Sequence, residues 1–409
     1  MVSKERHALL ALLLILFIDG MGQGLIFPIL TNVIINPTSH AVLHGVTTQE
    51  RNIWYGVIIC SFFFTWFFGA AMLGDISDTA GRKKALLLCL LGSTVGYLAS
   101  ALAFWWQTVW LLLLGRIVYG FTAGSQPIAQ ACIADISGPQ DKAHNMGLIL
   151  LAVTLGIMAG PILGGFLSDN QLVSWFSAST PLYFACFLSL FNLFYLWFYF
   201  QETSGKTGAL RLRLLRAVEI FISAFKDPAV RYLAICFTIL QLGWSIYYLY
   251  ITEFLARKYG LNATHIAVFF ALIGLGLTIG FGFLVKYVSH LSARNIVIAG
   301  YGILFLGILL TITPQHVIYP WLAALPATAA LAMGYAYVMT LFSNQVGPER
   351  QGWVMGVTGA LVAFSAGIAI LLSTLLSSFN VTWPLVLGAI FLLIGCLLML
   401  GFEPEHSQR

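Results

Sequence analysis

The chain alternates between long apolar runs and short polar segments, and most runs approach the ~20 residues that an α-helix needs to cross a bilayer. With no water in the hydrocarbon core to bond the backbone, each run is predicted to be helical. The runs fall at Ala8–Leu30, Asn52–Leu73, Ala85–Phe104, Thr108–Ile133, Asn145–Leu167 and Thr180–Phe200, and then at Ala229–Phe254, Thr264–Val285, Asn295–Ile312, Val317–Phe342, Gly352–Leu376 and Val381–Gly401. The pattern predicts an all-α membrane protein of twelve transmembrane helices in two six-helix bundles, residues 1–200 and 229–409, joined by a polar segment at 201–228. That segment holds Lys206, Arg211, Arg213, Arg216 and Lys226. Within it, Ala209–Phe225 fits either an amphipathic helix lying on the inner membrane surface or a plain basic linker.

Composition supports the same class. Apolar residues make up 59% of the 409 and charged residues only 9%, against roughly a quarter in soluble domains. The formal charge of +5 therefore does not point to nucleic acid. Of the twenty Lys and Arg, only Arg51, Arg257 and Lys258 fall on the proposed outer side and Arg116 lies within the membrane, a bias that places both termini in the cytoplasm. Lys4, Arg6 and His7 precede the first run, no small-residue cleavage pattern ends it, and it is expected to be a retained first helix. The six cysteines all lie in apolar runs without metal or disulfide spacing. No His-Glu-x-x-His arrangement and no phosphate loop occurs, so the expectation is a non-enzyme without cofactor or metal, driven by an ion gradient.

Between the second and third runs lies Gly74-Asp75-Ile76-Ser77-Asp78-Thr79-Ala80-Gly81-Arg82-Lys83-Lys84, read here as a tight membrane-surface loop. Gly74 and Gly81 suit close packing or a positive φ, and the basic residues hold the loop on the cytoplasmic side. The spacing resembles the signature loop of the major facilitator superfamily. That resemblance implies the major facilitator fold, with Gly74, Asp75, Asp78, Gly81, Arg82 and Lys83 acting in gating. A fainter echo, Gly138-Pro139 before Met146-Gly147 and Gly347-Pro348 before Met355-Gly356, favours two parallel repeats. The second-half counterpart of the charged segment, Gly282 to Arg294, keeps Lys286 and Arg294 without the acidic residues.

Further places bear on mechanism. Arg116 stands inside the fourth run, where a guanidinium needs a carboxylate, carbonyls or water. With Gly120 it resembles an Arg-x-x-x-Gly element linked in the superfamily to proton coupling or gating. In the fifth run, Gly156-x-x-x-Gly160-Pro161-Ile162-Leu163-Gly164-Gly165 offers a flat face and a bend. It is similar to the element associated with antiporters. Asp19 and Gln23 share a face of the first helix, and an unpaired carboxylate in lipid is costly, so Asp19 is expected to face a central cavity and to take a proton. This helix, together with Ala134-Asp135-Ile136 after the fourth run, resembles the tetracycline/multidrug proton antiporter branch. Gln241, Trp244, Ser245 and Tyr248 share a face of the seventh helix, which ends near Glu253 and Arg257. The departure lies in the third run, where tetracycline exporters carry an aspartate immediately before a tyrosine and this chain has Gly96 before Tyr97.

The resulting expectation is a proton-coupled secondary transporter that exports drugs or other amphiphilic small molecules by alternating access. The alternative is a proton-coupled carrier of a specific metabolite or siderophore, in either direction; a receptor or scaffold on a transporter fold would not require the intramembrane charges. Asp19, Arg116 and Glu253 are the expected proton-coupling groups. Gln23, Gln126, Gln241, Trp244, Ser245 and Tyr248 are expected to contact substrate, and Asp135, Gly156, Gly160 and Pro161 join the gating set. The expected partners are a small-molecule substrate, H⁺ rather than Na⁺, and the lipid of a bacterial inner membrane. A monomer is expected.

Overall fold

The computed structural model of the chain describes residues 2–35, 41–136, 142–203, 215–313, 315–347 and 350–402. Among them all regular structure is helical, and two compact units are present, residues 1–217 and 218–409. The first unit contains α1 (Val2–Leu30, continued by a π-helical turn at Thr31–Ile35), α2 (Thr48–Ala80), α3 (Arg82–Trp105), α4 (Val109–Thr122), α5 (Ser125–Ile136), α6 (Lys142–Phe166) and α7 (Thr180–Tyr199). The boundary falls at the start of α8 (Arg216–Lys226). Beyond it lie α9 (Arg231–Tyr259), α10 (Ala263–Ile279), a π turn at Gly280–Leu284, α11 (Val285–Tyr287), α12 (Ala293–Ile312), α13 (Ile318–Asn344), α14 (Gln351–Ser377) and α15 (Trp383–Leu400).

Ten helices among the described residues are long and apolar enough to span a membrane. The fourth crossing is divided into α4 and α5, and the fifth is α6, whose described apolar stretch is Leu151–Phe166; with these the twelve crossings of an all-α membrane protein are complete. Packing repeats between the units. In the first, α1 lies on α6 and α7, α3 on α4 and α7, and α2 on α4. In the second, α9 lies on α14 and α15, α12 on α13 and α15, and α10 on α13. Equivalent crossings therefore pair alike, as expected of two copies of one six-helix plan.

Two expectations are corrected. The charged segment is not a loop: α2 runs on through Gly74, Asp75 and Asp78 to Ala80, because the backbone keeps its helical bonds while Asp78 is exposed and Asp75, partly buried, lies beside Arg216. Only Gly81 leaves the helix, at φ 111° and ψ 148°, and α3 begins at the next residue. The fourth run is also not one helix, since Ala123 and Gly124 interrupt it. Glycine lets the broken crossing lie close against α2. An added Cβ at Gly124 would lie 2.6 Å from the Cα of Ala70 on α2, and one on Gly120 would meet the carbonyl of Phe62 at 2.5 Å.

In the second unit α8 is tied to α14. Phe221 packs on Phe364 with ring centroids 4.5 Å apart, the Trp353 indole donates to the Ser223 hydroxyl at 3.1 Å, and Arg350 pairs with Asp227. The preceding part of the expected amphipathic stretch, residues 209–214, lies outside the described residues.

The tightest seam joins α1 and α6. Gly156, Gly160 and Gly164 recur every four residues, and a Cβ on each would overlap the carbonyl of Phe17, Met21 or Leu25 respectively. Gly20 and Gly24 reciprocate: a Cβ on Gly20 would lie 2.6 Å from the Val153 carbonyl, and one on Gly24 would meet the Pro161 ring. Without a hydrophobic drive between helices in lipid, such backbone approach supplies van der Waals contact directly. Gly160→Val should therefore lower stability in detergent by ~2 kcal/mol or more, read as a lowered melting temperature. Gly282→Val, at a position with nothing within 4 Å, should leave that temperature nearly unchanged. Equal melting temperatures for the two variants would contradict the seam.

Candidate functional site

Asp19 sits in the middle of α1 with only 5% of its surface exposed. Its carboxylate accepts a hydrogen bond from the Ser125 hydroxyl and one from the Ser125 backbone N–H. The other carboxylate oxygen, Oδ1, has no hydrogen-bond partner among the described residues. Two tyrosines brace the backbone beside it. Tyr119 donates to the Asp19 carbonyl at 3.0 Å, Tyr97 donates to the Ile18 carbonyl at 3.4 Å, and their rings are 4.6 Å apart. Gly22 makes room for both hydroxyls, since a Cβ there would overlap them.

Arg116 is equally buried, at 2% exposure. Its guanidinium lies 4.5 Å from the Phe62 ring centre and 5.5 Å from that of Tyr119, and Nη1 donates weakly to the Gly22 carbonyl at 3.5 Å. Its Nε has no partner, and among the described residues no carboxylate comes within ion-pair distance. Aromatic faces and one carbonyl thus take the place of a counter-ion. Asp19 and Arg116 share Tyr119 as a neighbour without meeting each other.

Gly96 has a packing reason. A Cβ there would lie 2.7 Å from Cβ of Tyr119 and 2.8 Å from the Gly115 carbonyl, so no aspartate fits where α3 and α4 touch. Gln23 and Gln126 are half-buried in the same unit.

In the second unit Gln241 and Ser245 are buried, and the Gln241 side-chain oxygen has no hydrogen-bond partner among the described residues. Trp244 packs on Tyr248 at 5.2 Å, and Tyr248 meets Phe270 edge-on at 5.5 Å. Glu253 is buried but engaged: Arg257 pairs with it at 2.8 Å and also donates to the Ser377 carbonyl at 3.3 Å.

The gating residues of the first unit divide into several groups. Arg82 reaches back to Asp78 at 2.9 Å and to the Ser77 hydroxyl at 3.1 Å, while Asp75 lies 3.9 Å from Arg216. Gly74 has neither a positive φ nor a close neighbour, contrary to expectation; it is an ordinary helical position. Gly156, Gly160 and Pro161 belong to the α1–α6 seam. The side chain of Asp135 lies outside the described ones.

Sequence reasoning missed Glu202 altogether. Its two carboxylate oxygens accept from the backbone N–H groups of Arg82 at 2.9 Å and Lys83 at 3.2 Å, capping the first turn of α3. Gly81 is required twice there, for its positive φ and because a Cβ would strike the Glu202 carboxylate. Lys83 adds a hydrogen bond to the Trp197 carbonyl at 2.7 Å, fastening the end of α7 to the same turn. Glu202 lies 120 residues from Arg82, and no local pattern announces the contact. Ser125 was legible in principle, as a Ser two residues before Pro127 following a glycine reads as a helix start.

Comparison with known proteins gives a consistent result. The Major Facilitator Superfamily profile matches residues 12–370 and again 233–409. The class C tetracycline resistance protein of Escherichia coli is 28% identical over 394 residues, covering 95% of this chain and 90% of that protein. Mouse (Mus musculus) major facilitator superfamily domain-containing protein 10 is 23% identical over 408 residues, covering 90% and 86%. Among solved structures, the human organic anion transporter MFSD10 (TETRAN) aligns with a TM-score of 0.72 at 19% identity, over 97% of this chain and 99% of that one. The E. coli xylose transporter XylE in a partially occluded inward-open conformation aligns with a TM-score of 0.76 at 15% identity, over 100% and 99%. At these identities the structures share the fold.

The Glu202 cap generates a prediction. Glu202→Ala leaves two N–H groups and the positive end of the α3 dipole without their carboxylate, and should cost about 1 kcal/mol of stability. Glu202→Gln, which keeps an acceptor oxygen, should lose less. The check is thermal unfolding of the purified protein in detergent; a parent-like melting temperature for Glu202→Ala would remove the cap from the account.

Proposed function

The chain belongs to the Major Facilitator Superfamily, and on that premise we propose that this multi-pass secondary transporter exchanges protons for drugs or other amphiphilic small molecules, exporting them by alternating access. The observation that carries the reading is the buried Asp19 carboxylate, which among the described residues has donors from Ser125 alone and one oxygen without a partner. A carboxylate is expensive to keep in a membrane for packing alone, and intramembrane carboxylates are the usual proton relays of pumps and transporters. Its resemblance to tetracycline resistance proteins supports export of a drug-like cargo. Gly96, in place of an aspartate, argues for a different mode of cargo recognition.

In this reading Asp19 is the proton carrier. Arg116 is a fixed positive charge held near it, and Glu253 is a second acidic group restrained by Arg257. Gln23 and Gln126 in the first unit, and Gln241, Trp244, Ser245 and Tyr248 in the second, are proposed to contact cargo. Their amide, hydroxyl and ring groups suit a molecule with both polar and apolar surface. Gly74, Asp75, Asp78, Gly81, Arg82, Lys83 and Asp135, with Gly156, Gly160 and Pro161 of the α1–α6 seam, are proposed to set the rate of the conformational cycle. The proposed location is a bacterial inner membrane with both termini in the cytoplasm, following the distribution of Lys and Arg.

The test uses the purified chain in lipid vesicles under an imposed pH gradient, with tetracycline and ethidium as probes. The parent should accumulate at least one probe against its gradient. Asp19→Asn mimics the protonated state but cannot release a proton, so accumulation should fall to the level of protein-free vesicles while probe/probe exchange persists. Undiminished pH-driven accumulation by Asp19→Asn would remove Asp19 as the carrier, and failure of the parent to move either probe would overturn the drug-export reading.

A further inference from the structure

The divided fourth crossing bears on the chemistry of Asp19. Ser125 is the first residue of α5, a helix of 12 residues, and its N–H has no acceptor within that helix. Instead the N–H and the side-chain hydroxyl both donate to the Asp19 carboxylate, and Ser125 itself is fully buried. A half-helix thus directs its positive end at an anionic group inside the membrane, as discontinuous helices of transporters direct theirs at bound anions. Ala123 and Gly124, the two non-helical residues before it, separate α5 from α4 and give it a hinge.

Both contacts are donors, and an ionised carboxylate only accepts. They therefore fit the charged form of Asp19. Once the carboxylate takes a proton it gains a donor of its own and loses the charge that the helix end attracts, so the same two contacts weaken. Other groups face Asp19 without bonding its carboxylate, Tyr97 and Cys89 from α3 and Tyr119 from α4, while Arg116 of α4 lies against the Tyr119 ring. From α6 the neighbours at this level are the backbone of Val153, Gly156 and Ile157 packed on Gly20, and from α7 two hydrogen bonds reach α1 well away from Asp19, Asn192 to the Ala11 carbonyl and Tyr195 with His7. Among the described residues, only Ser125 donates to the carboxylate.

We propose that Ser125 and the N-terminus of α5 form the seat of the ionised Asp19, so that protonation of Asp19 releases the second half of the fourth crossing about Gly124. Ser125 is a positioning residue in this scheme, and the half-helix is the element that converts a proton into a movement. The inference rests on Asp19 being the proton-exchanging group, as proposed above, and its test is independent of cargo.

The experiment is hydrogen–deuterium exchange by mass spectrometry on the full chain in lipid nanodiscs, followed on peptides from α5 and α4 between pH 6 and pH 9 after correction for intrinsic exchange. In the parent, α5 protection should fall as the pH is lowered while α4 stays protected. Asp19→Asn should exchange through α5 about ten- to a hundredfold faster than the parent at pH 9, the factor expected from losing a charge-assisted hydrogen bond. Ser125→Ala, which removes the hydroxyl but keeps the N–H, should weaken the pH dependence severalfold, and Ser125→Thr, which keeps both donors, should restore it. Should Ser125→Ala fail to fold, the parent against Asp19→Asn still decides. Equal α5 exchange in those two at every pH, or a pH dependence in Ser125→Ala as large as the parent's, would overturn the inference. Release of α5 without any proton-driven probe transport would leave it standing and overturn the transport reading instead.

Discussion

A carboxylate in the middle of a transmembrane helix has to be met by donors, because lipid supplies none and the cost of leaving it bare is several kcal/mol on any scale. The first unit is built to meet Asp19. The fourth crossing gives up its helical continuity at Ala123 and Gly124, and the N–H and hydroxyl of Ser125 become available to Asp19. The break is tolerable because it is buried in protein, where Gly124 lies against the α2 backbone at Ala70. The α1–α6 glycine seam and the Tyr97–Tyr119 pair, both fitted to glycines of α1, then fix the helix that carries the carboxylate.

Glycine serves two separate purposes here. On α6 and α1 it permits helices to approach until backbone touches backbone, and at Gly96 it does so at the position where tetracycline exporters place an aspartate. At Gly81 it permits a backbone conformation and admits the Glu202 carboxylate onto the first turn of α3. The charged segment is therefore a helix end, a one-residue turn and a capped helix start. Two of its basic residues are already engaged, Arg82 with Asp78 and Lys83 with the Trp197 carbonyl. A conformational cycle that uses this segment has a defined set of contacts to exchange.

Much of this was legible in the sequence, for physical reasons. Apolar runs of membrane-spanning length have few alternatives to helix, so the crossings could be read directly, and the glycines four apart on α6 predicted close packing. The break in the fourth crossing has only a local signal, Gly124-Ser125 ahead of Pro127, set inside a run whose length and overall apolarity suit one spanning helix. Charge alone does not mark Gly74 to Ala80 as a loop, since a helix accepts an exposed Asp78 and an Asp75 that has Arg216 beside it. Arg116 was expected to find a carboxylate, carbonyls or water, and it rests mainly on two rings, a choice that spacing along the chain does not encode. Glu202 depends on the end of the sixth crossing returning to the start of the third, which only the folded bundle specifies.

The central claim is that Asp19 exchanges a proton with the aqueous phase from inside the bilayer. Dicyclohexylcarbodiimide, an apolar reagent that modifies protonated carboxyl groups, tests it without knowledge of the cargo. Peptide mapping of the reconstituted protein after treatment across pH 6 to pH 9 should show modification at Asp19 that rises as the pH falls. Absence of modification at Asp19 throughout that range, with labelling confined to Glu253, would contradict the account.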